Sequence, residues 1–179
     1  GLTLAMAASS RYAGLVVMKT MLAAGDAPLS PGFPASREWC GQTPDFDIAR
    51  AFARGNPQMS AAEGAAYNAP FPDKGHQAAT RAFPAMVPDL EAADGAEISR
   101  QAREFWRTFW RGRTLMAVGA NDPVFGLPVM ELLKPPIRGY GKPPIFGDAG
   151  HFVQEHDKLV AQKAVALFSK TGGQPFSPL

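Results

Sequence analysis

The sequence contains a single cysteine, Cys40, among its 179 residues. No disulfide can close within the chain, so a reducing compartment, the cytoplasm, is the expected setting. It lacks any apolar run near the roughly 18 residues a membrane span requires, so no membrane partner is expected. It also lacks a charge excess. Lys and Arg total 18 against 16 Asp and Glu, a net +2, too little to argue for nucleic acid or an anionic membrane. Arg100, Arg103, Arg107, Arg111 and Arg113 are spaced as one solvated helix face and its exit, with no stacking platform beside them. No internal repeat is present. The opening GLTLAMAA has no basic segment before it and does not read as a signal peptide. It has neither an initiator methionine nor a capping residue, and reads as a helix already under way.

What is there is globular. Hydrophobic residues make up 46% of the chain and charged residues 19%, in a length that suits one domain. Such a chain buries roughly 70% of its unfolded surface. Residues 1–25 read as the end of an apolar helix followed by a valine-rich buried strand, Tyr12 to Met18. From 26 to 95 the texture changes to prolines and short helical pieces. Gly25, Pro28, Pro31, Gly32 and Pro34 break regular structure, Ser60 and Glu63 form a capping box, and Pro84 stops a helix begun at Gln77. Regular alternation returns over 96–170. An amphipathic helix there carries Ile98, Ala102, Phe105, Trp106, Phe109 and Trp110. After it come strand Thr114–Val118, a short helix from Leu127 to Leu133, a weak strand Pro144–Phe146 and a closing helix Val153–Phe168. The tail 171–179 is expected to be loose. The order predicts an α/β fold, the back half of an open sheet with a helical excursion in the middle.

In such sheets, chemistry sits just past the carboxyl ends of the strands. Asp122, in GANDPVFG, and His151, in DAGHFVQEH, both hold that position. Taken alone, Asp122 is an Asn-Asp-Pro turn former and His151 a loop histidine. Together, in that order, they match the acid and base of a hydrolase triad. The third member should stand in a small-x-nucleophile-x-small elbow after a strand, and none exists in this sequence. Ser9 and Ser10 end a helix, and Cys40 follows no strand. The nucleophile is therefore expected upstream of Gly1. His151, Glu155 and His156 lack the i, i+4 histidine pair of a zinc helix, so no metal is expected. His76 has no visible partner.

With those residues in place, the sequence resembles the haloalkane dehalogenases of the α/β-hydrolase superfamily. The resemblance is carried by GLTLAM, APFPD with RAFPAMVP, FWRTFWRGRTLMAVGANDPVFG and DAGHFVQEH, and is strongest to the subgroup acting on small chlorinated alkanes. It implies the C-terminal part of an α/β-hydrolase fold with a helical cap insertion at 26–95. It also implies a hydrolase that turns small haloalkanes, with water, into alcohol and halide ion through an alkyl ester, a detoxifying role with no cofactor. By resemblance Asp122 is the acid and His151 the base. Phe33, Ser36, Phe83, Pro84 and Val87 match substrate-pocket positions. The family's nucleophilic Asp stands in an Asp-Trp-Gly-Gly elbow a few positions before the residue matching Gly1, so the chain resembles a fragment that is inactive alone. The family's halide-holding cap tryptophan is replaced here by Ser36, with Trp39 one helical turn further on. The resemblance further implies a soluble bacterial monomer. Other hydrolases of the fold remain open. An esterase would need a serine elbow. An epoxide hydrolase would need two cap tyrosines, whereas only Tyr67 lies in the cap and Tyr140 lies outside it.

Overall fold

A computed structural model describes residues 1–134, 136–137 and 142–169. The expected loose tail and Tyr140 lie outside these residues. Three strands form one parallel sheet in the order β1-β2-β3: β1 Gly14–Met18, β2 Arg113–Gly119 and β3 Ile145–Phe146. Gly14 pairs with Arg113 and Met18 with Ala117, and Val118 pairs with Ile145. The central strand β2 is buried from Thr114 to Gly119, as expected for a strand covered on both faces. β1 is buried only at alternate residues, Leu15 and Val17, and its Val16 is 41% exposed.

Helices flank the sheet. α1 (Leu2–Ala7) is followed by a 3₁₀ turn at Ser9–Arg11, and packs on α6 (Ala96–Thr108). Ala102 and Trp106 of α6, with Trp110 just beyond it, are fully or almost fully buried beside Val17, Met116 and Val118. The Trp110 indole donates to Thr114 Oγ1 at 3.1 Å, whereas the buried Trp106 indole N–H has no partner among the described residues. The apolar face of α6 is narrower than its sequence suggests. Ile98 is 46% and Phe109 65% exposed. α7 (Leu127–Glu131) buries Met130 in the same core. The closing helix α8 (Asp157–Phe168) is preceded by a 3₁₀ turn over Val153–His156, so the final element is two pieces rather than one helix.

Between β1 and α6 the described chain has helices and no strand: α2 Gly32–Gln42, α3 Ile48–Gly55, α4 Ala61–Asn68 and α5 Ala78–Ala85. α4 carries the expected capping box, Ser60 with Glu63. α2 runs through Pro34, which the sequence suggested would break structure. Pro34 lies in the first turn, where the missing N–H would have had no intrahelical partner. Pro84, expected to stop the helix after Phe83, instead falls inside the last turn of α5, and Met86 N–H closes the turn on Ala82 and Phe83.

Two of the α6 arginines, Arg100 and Arg103, are clips, whereas Arg107 stays on the solvated face beside Glu104. Arg103 Nε donates to the Leu22 carbonyl at 2.8 Å and Nη1 to Asp26 at 2.5 Å. Arg100 reaches the Glu91 carbonyl at 3.2 Å. They tie the segment after β1 to the helix before β2, and so fix the two strand ends next to one another.

Candidate active site

Strand β2 ends at Gly119 because the chain must turn there with no side chain in the way. A Cβ on Gly119 would lie 2.2 Å from the Gly150 carbonyl oxygen. That close approach brings the loop after β3 against the loop after β2. Asn121 N–H donates to the Ala149 carbonyl at 3.0 Å, and the Asn121 amide donates to the Gly147 carbonyl at 3.1 Å. Asp122 and His151 are thereby set face to face.

His151 Nδ1 lies 3.0 Å from Asp122 Oδ1. The same oxygen accepts the backbone N–H groups of Val124 (2.8 Å) and Phe125 (2.9 Å). The Asp122 side chain is 2% exposed and that of His151 is 25% exposed. Burial pushes the Asp122 carboxyl up. The hydrogen bonds from His151, Phe125 and Val124 outweigh it, so the net shift is below the ordinary carboxylate value. The turn role suggested by Asn-Asp-Pro and the acid role thus coexist: one Asp122 oxygen fastens its own turn and orients the imidazole. The His151 ring is stacked against Phe125 at 5.8 Å and meets Phe152 edge-on at 5.0 Å. With Nδ1 held by Asp122, Nε2 has no hydrogen-bond partner among the described residues.

His151 opens on a cavity of about 610 Å³. Its walls are mostly apolar. Phe46, Ile48, Phe52 and Phe71 come from the helical region, and Pro123, Val124 and Phe152 from the two strand-end loops. Ser36, Trp39 and Cys40, all on α2, line it too. The Cys40 thiol is pushed up by burial, partly offset by a hydrogen bond with Ser36, which keeps it a neutral wall group. Trp39 leans on Phe46 with ring centroids 4.8 Å apart.

The residues predicted for the pocket divide. Ser36 lines the cavity with His151. Phe83 and Val87 instead line a neighbouring groove with Lys19 and Phe125, and Phe83 is 65% exposed. Phe33 lies beneath the Arg37 guanidinium at 5.1 Å, and the Pro84 carbonyl accepts from Arg37 Nε at 3.0 Å. Arg37 also pairs with Asp89 at 2.6 Å, so these positions form the joint between α2 and the segment after α5.

A second group at the site escaped the sequence reading. Phe152 stacks on Phe52 at 4.0 Å, and Lys19 Nζ stands 4.2 Å from its ring centre. Because Phe52 lies nearly parallel against one face, Lys19 must take the other. Lys19 follows β1 directly and has φ of 32°, a left-handed backbone that lysine rarely adopts. Burial lowers the Lys19 ammonium, opposed by the nearby charges of Asp122 and Glu155. Glu155 in turn accepts the Tyr67 hydroxyl of α4, and burial with that carboxylate raises the Tyr67 phenol. The strand-end position of Lys19 was the available signal. Nothing in the sequence marked Phe52.

No family model matches the chain. Individual proteins do. A haloalkane dehalogenase of Mycolicibacterium paratuberculosis is 33% identical over 158 residues, covering 87% of this chain and 52% of its own length. One from Psychrobacter cryohalolentis is 31% identical over 173 residues, covering 94% and 56%. The structure titled as the tetrameric haloalkane dehalogenase of Paraglaciecola agarilytica superposes with a TM-score of 0.87 at 32% identity, over 96% of this chain and 57% of that one. The chain thus spans about half the length of the curated relatives it matches.

Proposed function

We infer that this chain, a relative of the haloalkane dehalogenases with the C-terminal part of their α/β-hydrolase fold, supplies the acid, the base and the pocket of a hydrolase acting on carbon–halogen bonds. The observation that carries the reading is a buried Asp122 holding His151 by Nδ1 while Nε2 is left free beside an apolar cavity. A carboxylate nucleophile attacks the sp³ carbon, the C–O bond forms, and halide leaves with the C–halogen electron pair. His151 Nε2 then takes a proton from water as the water oxygen adds to the ester carbonyl. Collapse releases the alcohol, and the proton passes from His151 to solvent with regeneration of the carboxylate. Asp122 stabilises the imidazolium in between. The dry walls suit a small halocarbon and keep bulk water from the ester.

No carboxylate stands opposite His151 Nε2 among the described residues. We assign the nucleophile to the part of the protein that corresponds to the unmatched portion of the relatives. Residues 26–95 act as the cap, and Ser36, with Trp39 one turn on, faces the leaving halide. Phe33 and Pro84 contribute by holding α2 to the end of the cap, and Phe83 and Val87 by lining the neighbouring groove beside Lys19 and Phe125. The working unit in this reading is a monomer. The setting is the cytoplasm, consistent with the buried thiol of Cys40. No helix among the described residues is long and apolar enough to cross a membrane. An epoxide hydrolase fits less well, because the Tyr67 hydroxyl is engaged by Glu155 rather than offered to the cavity.

The test is halide release from 1,2-dichloroethane by the protein with its upstream residues. His151→Ala should halt after the first step and leave an alkyl ester, seen as a mass increase on the intact protein. Asp122→Ala should lower turnover by orders of magnitude. Wild-type turnover in either variant removes the assignment.

A further inference from the structure

We propose that Arg54 is an anion-recognising residue of the cavity, which makes haloalkanes bearing a carboxylate remote from the halogen preferred substrates. The inference rests on the hydrolase reading above and names its substrate class. Arg54 lies in the last turn of α3 and lines the same cavity as His151. Its guanidinium sits 5.0 Å from the centre of the Trp39 ring. That cation–π contact holds the exposed guanidinium over the indole, with its N–H groups left to donate elsewhere.

Arg11 and Arg50 likewise make no side-chain hydrogen bond or ion pair among the described residues, but neither lines the cavity, and the other described arginines apart from Arg54 are occupied. Arg37, Arg100, Arg103 and Arg107 pair with carboxylates, and Arg81, Arg111 and Arg113 donate to carbonyls. Arg54 has neither kind of partner among the described residues, and no carboxylate lines the cavity. The next residue, Gly55, packs directly on the base's loop. A Cβ there would lie 2.9 Å from the Phe152 ring and 3.2 Å from His151 Cβ. Arg54 is therefore held on a helix end that abuts the catalytic loop, while its charge points to the Trp39 side. A guanidinium that meets no carboxylate in the protein is a donor fork for one in the ligand. The apolar walls between Arg54 and His151 suit the methylene chain joining the two ends of such a molecule.

The experiment titrates the chain, in a Val16→Lys background that charges the open β1 edge against self-association, with 4-chlorobutyrate and with 1-chlorobutane, following the Trp39 indole N–H by two-dimensional NMR. With Arg54 intact the chain should bind 4-chlorobutyrate at least about tenfold more tightly, the size expected for one charge-assisted pair. The difference should weaken with salt, collapse in Arg54→Met and persist in part in Arg54→Lys. Thermal melts check that both variants fold. In the protein carrying its nucleophile, the ratio of kcat/KM for the two substrates should follow the same order. Equal affinities with Arg54 intact, or a preference that survives Arg54→Met, overturns the proposal. So does sodium chloride alone, if it moves Trp39 with the same Arg54 dependence, since that makes Arg54 a halide site. If neither compound is hydrolysed yet 4-chlorobutyrate binding depends on Arg54, the dehalogenase reading fails and the anion site stands.

Discussion

Asp122 carries two loads with one oxygen, its own turn and the imidazole of His151. That doubling sets a pH signature. The folded carboxyl is held below its ordinary value, so proton binding favours the unfolded chain. The stabilisation is fully present above the unfolded value of about 3.9 and is lost as pH falls through the lower folded value. Asp26, Asp47 and Asp73 are lowered too, so acid unfolding of the whole chain does not isolate Asp122. The difference between the chain and Asp122→Asn does. In urea unfolding the variant should be clearly less stable at pH 7, and the gap should close towards pH 3. A gap that is constant with pH would mean that the pair contributes no charge-dependent stability. At this scale the sequence is only half informative. Asp122 and His151 were legible because strand ends concentrate chemistry. Lys19, also at a strand end, was passed over because its neighbours Asp122, Phe152 and Glu155 arrive from distant parts of the chain.

At the level of elements, the site is made by two loops pressed together and a helix end pressed on the second of them. Gly119 meets the Gly150 carbonyl, and Gly150 in turn meets Gly55, where an added Cβ would lie 2.3 Å from the Gly55 carbonyl oxygen. Backbone occupies these contacts, so it cannot rotate aside as a side chain could. Gly119→Ala should therefore drive the Gly150 loop off β2 and lengthen the Asp122–His151 contact. A loss of roughly 2 kcal/mol or more is expected, in the range of an overpacked core, with turnover falling further than stability alone explains. Denaturant unfolding and halide release on the same preparation check this, and an unaffected variant would show that the loops are not tightly coupled. Strands β1 and β2 were readable as short valine- and methionine-rich runs, and α4 from its capping box. α2 was hidden because Gly32 and Pro34 read as breakers until one knows that they fill a helix's first turn. α3 carries a capping Asp47, whose side chain accepts the Arg50 N–H, but no second capping partner follows it. Its buried face is the single residue Ile48, and its importance comes from Gly55 touching the other end of the sequence.

At the scale of the whole molecule, both outer strands of the sheet pair only with β2 among the described residues, and β1, with five residues, is the longer open edge. Beside β1 runs a groove of about 510 Å³, walled by Leu2, Leu4, Tyr12, Leu15 and Val16. Leu4 is 69% and Tyr12 40% exposed there. A parallel edge strand next to apolar side chains offers both hydrogen bonds and hydrophobic surface to whatever reaches it first. In the relatives, roughly half the chain lies beyond the matched region, and a strand from that part is the partner we assign to this edge. For the 179 residues on their own, the expected consequence is self-association. Light scattering should rise with concentration and temperature, and halide release should be absent. Val16→Lys places a charge in the middle of the exposed edge, at a position 41% open to solvent, without touching Leu15 or Val17 in the core. It should suppress the scattering while leaving the far-UV circular dichroism spectrum in place. Scattering that persists in Val16→Lys would place the sticky surface at the exposed Phe83 of α5 with Met86 and Leu90 just after it. The same substitution in the protein with its upstream residues should destabilise, because there the edge is covered and the lysine would be buried. Opposite effects in the two settings are what an edge built to be paired requires.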